Sequence, residues 1–149
     1  MRLSTRGRYG LKAMFALALH EGEGPLALCA IAQQQDIPEA YLEQLMAPLR
    51  RAALVASSRG AQGGYSLSRA PQEISVGDVL RAMEGPFAPA ACVMQDAKPD
   101  CCDKAEGCVT RIVWERMRDG INAVMDSMTL ADMVADHCRM QERKEADKQ

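Results

Sequence analysis

The residues best suited to chemistry lie in one stretch, Cys92–Cys108, with the sequence CVMQDAKPDCCDKAEGC. It holds four of the chain's six cysteines within seventeen residues and contains no aromatic residue, isoleucine or leucine. With so little to bury it cannot build a core, and with Pro86, Pro89 and Pro99 around and within it, it reads as a loop. Thiolates gathered this closely suit an iron–sulfur cluster and also suit zinc. The vicinal pair Cys101 and Cys102 offers a third chemistry, reversible oxidation without metal. Cys29 and Cys138 read as bystanders: Cys29 a small buried residue of a short helix, Cys138 near a frayed end. No phosphate loop, serine elbow or oriented His–Cys pair appears, so the chain is not expected to be an enzyme.

Which of these chemistries is open depends on the compartment. Arg2, Arg6, Arg8 and Lys12 ahead of the apolar run Ala13–Leu19 imitate a secretory signal. That run ends in His20-Glu21 without a small-residue cleavage site. Leu11, Met14, Phe15 and Ala18 fall at helical spacing, so an amphipathic first helix is expected instead. No segment approaches the roughly 18 apolar residues of a membrane span. A cytoplasmic protein with reduced thiols and no membrane partner is the expectation. Its net charge of −2 hides an asymmetry, because eight Lys/Arg oppose five Asp/Glu over residues 1–69. Over residues 70–149 the balance is ten against fifteen, so only the front half is suited to a polyanion.

The elements that must position the cysteines follow from periodicity and turn signals. Thr5 is expected to cap a first helix to about His20, stopped by Gly22 and Gly24. Pro25 opens a second helix over 26–34, with Leu28, Ile31 and Ala32 inward. Asp36-Ile37-Pro38 forms a turn, and a third helix runs from Pro38 to about Ala53 on the stripe Tyr41, Leu42, Leu45, Met46 and Leu49. These are the proportions of a helix-turn-helix. Strands over 54–57 and 65–68 flank the glycine-rich Ser58–Gly64, a hairpin placed as a wing with Arg59 at its tip. Ser75 and Asp78 form a capping box that opens a fourth helix over 76–83. After Cys108, the residues Val109, Val113, Met117, Ile121, Val124 and Met128 make one narrow stripe on a helix of about eighteen residues. Thr129 and Asp132 form a second capping box for a last helix to about His137. The charged tail 139–149 is expected to be disordered.

Four separated motifs carry a family resemblance: the opening MRLSTRGRYG, the segment YLEQL at 41–45, RGAQGGY at 59–65 and SMTLAD at 127–132. In these the chain resembles the Rrf-two-type winged-helix transcription regulators over about residues 1–135. The resemblance implies a mainly α fold with a small β wing, and a homodimer built on the long C-terminal helix. It also implies two winged helices reading a palindromic operator in double-stranded DNA. In the cluster-binding members, three cysteines before that helix hold an iron–sulfur cluster, of 2Fe–2S or 4Fe–4S type, one per subunit.

Transferred to this sequence, the triad is Cys92, Cys102 and Cys108, with Cys101 as alternate or fourth ligand. Two departures stand out. The nine residues between Cys92 and Cys102 make an unusually long gap, and Arg111 replaces the histidine expected three residues after the last cysteine. Asp103, Glu106 or a group from a partner's N-terminal region are the other candidates for the fourth position. For DNA, the expected contacts are Ser4, Thr5 and Arg8 to phosphates, Glu39, Ala40, Glu43 and Gln44 on the outer face of the third helix, and Arg59, Gly60 and Gly63 in the wing. The expected organisation is a winged helix-turn-helix over 1–84, a sensor loop over 85–108, dimerisation helices over 109–138 and the tail. The expected function is a repressor or dual regulator whose operator affinity depends on the cluster. The alternatives are a metal-free regulator controlled by thiol oxidation or a partner protein, and a non-DNA-binding adaptor or cluster-assembly protein.

Overall fold

A computed structural model describes residues 2–149. It contains six α-helices and one hairpin: α1 Thr5–Leu19, α2 Leu28–Gln35, α3 Glu39–Arg51, β1 Val55–Ser58, β2 Gly64–Leu67, α4 Val76–Glu84, α5 Val109–Ser127 and α6 Leu130–Ala146. Short 3-10 turns lie at Pro71–Glu73 and Ala91–Val93.

Helix α1 lies at the centre, packed against α2, α3, α4 and α6. Its buried side is built largely from small residues: Gly7, Gly10, Ala13, Ala16 and Ala18, with Met14 and Leu17 between them. The expected α3 stripe is realised, with Leu42, Leu45, Met46 and Leu49 buried and Tyr41 half-buried at the core's edge. Each such side chain contributes about 1.5–3 kcal/mol by leaving water. Ser4, not Thr5, caps α1: its Oγ accepts from Gly7 N at 3.1 Å, so Thr5 is the first helical residue.

Helix α2 begins later than Pro25 predicts. Leu26 and Tyr65 exchange both backbone hydrogen bonds, at 2.8 and 2.9 Å, which holds Leu26 extended and delays the helix to Leu28. Cys29 is exposed rather than buried. It lies two positions from buried Ile31, about 200° around the helix and so on its outer side. Asp36 closes α2 in the left-handed conformation at φ 54°, and Pro38 precedes α3 as its cap.

The hairpin pairs Val55 with Leu67, Ala56 with Ser66, Ser57 with Tyr65 and Ser58 with Gly64. Gly64 is required by close approach, since a Cβ there would lie 2.3 Å from the Leu26 carbonyl oxygen.

Both capping boxes form, at Ser75/Asp78 and Thr129/Asp132. They sit side by side: Val76 N donates to Met128 O at 2.8 Å and Leu130 N to Ile74 O at 3.0 Å. This bridge ties the starts of α4 and α6 together and fixes the end of α5 between them. Helix α6 does not stop at His137 but continues to Ala146, so Cys138 lies within it and most of the tail expected to be disordered is helical. The extension is exposed and has almost nothing to bury. It is carried by helix formers from Gln141 onward, the Asp136–Arg139 pair, and Arg143 and Lys144 in the last turn.

Helix α5 is poorly covered for so apolar an element, with Met125 its only buried residue. Ile121 turns inward onto Val76, Leu80 and Met125, while Ile112 joins Val109, Val113, Met117, Val124 and Met128 among the exposed large hydrophobic residues.

Leu42→Ala, at a fully buried site, is expected to cost about 2–5 kcal/mol in urea unfolding. Asp132, held below the usual carboxylate range chiefly by the Thr129 backbone amide and then its hydroxyl, contributes a pH-dependent part. Its folded pKa is depressed, so that part is complete above the ordinary aspartate range and lost as pH falls through the lowered value. Thermal melts of Asp132→Asn between about pH 5 and pH 2 should therefore show a shallower acid loss than wild type.

Candidate functional site

Two surfaces carry the expected site residues. The first joins α1, α3 and the hairpin. Glu39, Ala40, Glu43 and Gln44 lie together on the exposed side of α3, opposite its core stripe. Arg59 and Gly60 are exposed in the hairpin tip, Gly60 at φ 104°, and Gly63 is tucked under it. A Cβ on Gly63 would lie 2.3 Å from Ser58 O, so the tip depends on that glycine. Arg50, at the end of α3, donates to Ser57 Oγ at 3.2 Å and clamps the helix to the hairpin. That clamp joins separate elements and has no local periodic signature.

Ser4, Thr5 and Arg8 are exposed at the start of α1, where Arg8 donates to Thr5 Oγ1 at 3.3 Å. Ser4 is not free. Its amide donates to Glu84 Oε1 at 2.7 Å, and its hydroxyl donates to the same oxygen.

The second surface is the cysteine loop. It is a succession of turns, closed by hydrogen bonds of 3.1 Å from Ala97 N to Met94 O, Cys101 N to Lys98 O and Ala105 N to Cys102 O. All six cysteines are free thiols, with Cys101 and Cys102 exposed and Cys92 and Cys108 half-exposed. Cys108 is the residue preceding the first turn of α5, and its Sγ lies 3.2 Å from Thr110 Oγ1. The Thr110 hydroxyl, then the Arg111 amide, hold the Cys108 thiol below its ordinary range against a smaller opposing effect of desolvation. Cys108 is thus predisposed to the thiolate, the form that binds metal or attacks a disulfide.

The donor chemistry of this loop suits an iron–sulfur cluster, but the ligands are not assembled. Among the described residues, no three His, Cys, Asp or Glu side chains converge to hold a metal ion. Arg111, which stands where the resemblance calls for histidine, pairs with Glu115 at 3.1 Å. The chain's two histidines are engaged elsewhere, His20 with Glu23 at 3.0 Å and His137 edge-on to Phe15.

What the sequence reading missed is the framework that docks the loop. Arg118 donates to Val93 O at 2.9 Å, and Asn122 donates to Phe87 O at 3.1 Å. Arg81 then joins α4 to α5 through Asn122 Oδ1 at 3.1 Å and through Asp126. These side chains line a cleft of about 630 Å³ between the loop and α5. Gly77 leaves room for the Arg81–Asp126 pair, since a Cβ there would meet both partners.

Residues 3–136 match the family model described as Rrf2, iron-dependent transcriptional regulator. The chain belongs to the Rrf2 family. It is 46% identical to the HTH-type transcriptional regulator CymR of Bacillus subtilis over 135 residues, covering 91% of each protein. Its fold is similar to that of T. potens IscR, with a TM-score of 0.75 at 47% identity, covering 92% of this chain and 88% of that one. The oxidized form of Staphylococcus aureus CymR is similar at a TM-score of 0.68 and 40% identity, covering 89% of this chain and 95% of that one. The helical fold with a two-stranded wing is therefore that of Rrf2 winged-helix transcriptional regulators, which are not enzymes. Among the described residues, no helix is long and apolar enough to cross a membrane.

Thr110→Val should raise the pH midpoint of Cys108 alkylation towards that of an ordinary thiol, read by mass spectrometry of iodoacetamide-treated protein. Arg118→Ala should speed amide exchange in residues 86–95 while leaving α1 to α3 protected.

Proposed function

We propose that this chain is a dimeric, DNA-binding Rrf2 regulator whose operator affinity is set by the state of the loop 92–108, where the thiols take an iron–sulfur cluster. One observation carries the reading: a four-thiol loop ends in a thiolate-prone Cys108 directly at the start of the uncovered helix α5. Cys92, Cys102 and Cys108 are the proposed ligands, with Cys101 as alternate or fourth. The iron dependence named in the family description supports the assignment. When bound, the cluster supplies a redox- and iron-sensitive cross-link among distant loop positions.

The chain's own residues do the rest. Arg118 and Asn122 transmit the loop's position to α5, and Arg81 passes it to α4. The exposed apolar face of α5, with Val109 at 73% and Val124 at 59%, is the proposed seam with a second copy. Two copies would present two α3 helices to half-sites about 34 Å apart, so small changes in their spacing change affinity for a palindrome. On each winged helix, Glu39, Ala40, Glu43 and Gln44 face base edges. Ser4, Thr5, Arg8, Arg59, Gly60 and Gly63 meet the backbone or minor groove.

A second reading has its own support. The thiols are separate and free, Cys101 and Cys102 are exposed neighbours, and one relative has been solved in an oxidized form. In that reading the loop responds to thiol oxidation without metal, and the similarity to a structure described as the global cysteine regulator of B. subtilis is compatible with it.

The test is anisotropy titration of a palindromic duplex selected from a random pool, with protein before and after anaerobic reconstitution with iron and sulfide. A change in Kd on reconstitution that is lost in Cys108→Ala is expected. A Kd that shifts with diamide oxidation but not with reconstitution would instead select the metal-free reading. Val113→Asp should move the sedimentation coefficient from dimer to monomer. Arg59→Ala should weaken DNA binding and reduce its salt slope by about one.

A further inference from the structure

We propose that Glu84 is a latch on the DNA-facing end of α1: its carboxylate occupies the Ser4 donors that a DNA phosphate needs, which couples DNA binding to the junction between α4 and the cysteine loop. The inference rests on the DNA-binding face proposed above.

The contact is specific and built into the packing. Ser4 gives both its amide, at 2.7 Å, and its hydroxyl proton to one oxygen of Glu84. The hydroxyl has only that one proton, so the side chain has none left to offer a phosphate, while its oxygen accepts from Gly7 N at 3.1 Å. A Cβ on Gly7 would sit 2.5 Å from Glu84 Oε1, so glycine at that position makes room for the carboxylate. Next along the same face of α1, Gly10 makes room for Met83 in the same way. The positive end of α1 favours an anion there, and Glu84 supplies one from within the chain.

The location gives the contact its consequence. Glu84 is the last residue of α4; Gly85 opens the sensor segment at φ 79° with open space around it, and Pro86 follows. Three residues beyond Glu84, the Phe87 carbonyl is held by Asn122 of α5. A shift of the loop on α5 therefore pulls on the hinge beside Glu84. A phosphate arriving at Ser4 must displace the same carboxylate, so phosphate and Glu84 compete for one pair of donors, and phosphate binding is thermodynamically linked to the position of the loop.

The test uses the full chain and anisotropy titration of a fluorescein-labelled, mixed-sequence duplex of about 30 base pairs, which reads phosphate contacts without an operator. Glu84→Asp keeps the charge but is one methylene too short to hold Ser4. It is expected to tighten binding about two- to fivefold, the scale of one anion contact at a helix N-terminus. The gain should shrink in Ser4→Ala, which keeps only the amide donor. Glu84→Ala serves the same cycle if thermal melts show Glu84→Asp to be unfolded. Wild-type affinity in Glu84→Asp, or an equal gain with and without the Ser4 hydroxyl, would overturn the latch while leaving the DNA-binding face intact. Absence of salt-dependent duplex binding by wild type would overturn the face itself, and the latch with it.

Discussion

Helix α1 can lie at the centre of this protein because small residues line much of its buried side. Gly7 and Gly10 let α4 approach closely enough for Met83 and Glu84 to fill the space that two Cβ atoms would take. From that crossing the remaining elements take their places. The core stripe of α3 packs on α1, the hairpin is pinned between α3 and the Leu26 bridge, and the paired capping boxes bind α6 to the start of α4. A larger residue at either glycine would push α1, which opens the proposed DNA-contacting surface, away from α4, which leads into the cysteine loop. Close packing of this kind transmits a displacement from one helix to the other.

That geometry suggests how a loop without a core can influence a distant surface. The loop's carbonyls are held by Arg118 and Asn122, α5 is joined to α4 by Arg81, and α4 ends on Ser4 through Glu84. Each link is a half-exposed polar contact of modest strength. A coupling of about 1–3 kcal/mol is nonetheless enough to change affinity 5- to 150-fold. The uncovered apolar face of α5 suits the same scheme, because a change relayed through α5 would reach both DNA-reading units of a dimer.

Much of this was legible in the chain because the signals are local. The α3 stripe, the two S/T-x-x-D capping boxes, the hairpin with its glycine-rich tip and the length of α5 each follow from residues within one or two turns of each other. The failures have a common cause in long-range or competing terms. Leu26 is drawn out of α2 by Tyr65, thirty-nine positions away, and Ser4 is claimed by Glu84, eighty positions away. The polar framework of Arg81, Arg118 and Asn122 has no local signature and exists only where α4 and α5 come together. At the C-terminus, helix propensity and i,i+3 pairing outweigh the lack of burial and carry α6 to Ala146. The cysteine loop was legible in its composition but not in its assembly, since spacing alone does not bring thiols together.

The most direct measurement is an anaerobic visible spectrum with iron and sulfide analysis on wild type and on Cys92→Ala, Cys101→Ala, Cys102→Ala and Cys108→Ala. A brown wild-type protein holding both elements is expected, with colour lost on removing Cys92, Cys102 or Cys108. Loss in Cys101→Ala as well would make it the fourth ligand. A colourless, iron-free protein after anaerobic reconstitution would rule out a cluster in the loop 92–108 and leave it as a thiol switch or a zinc site.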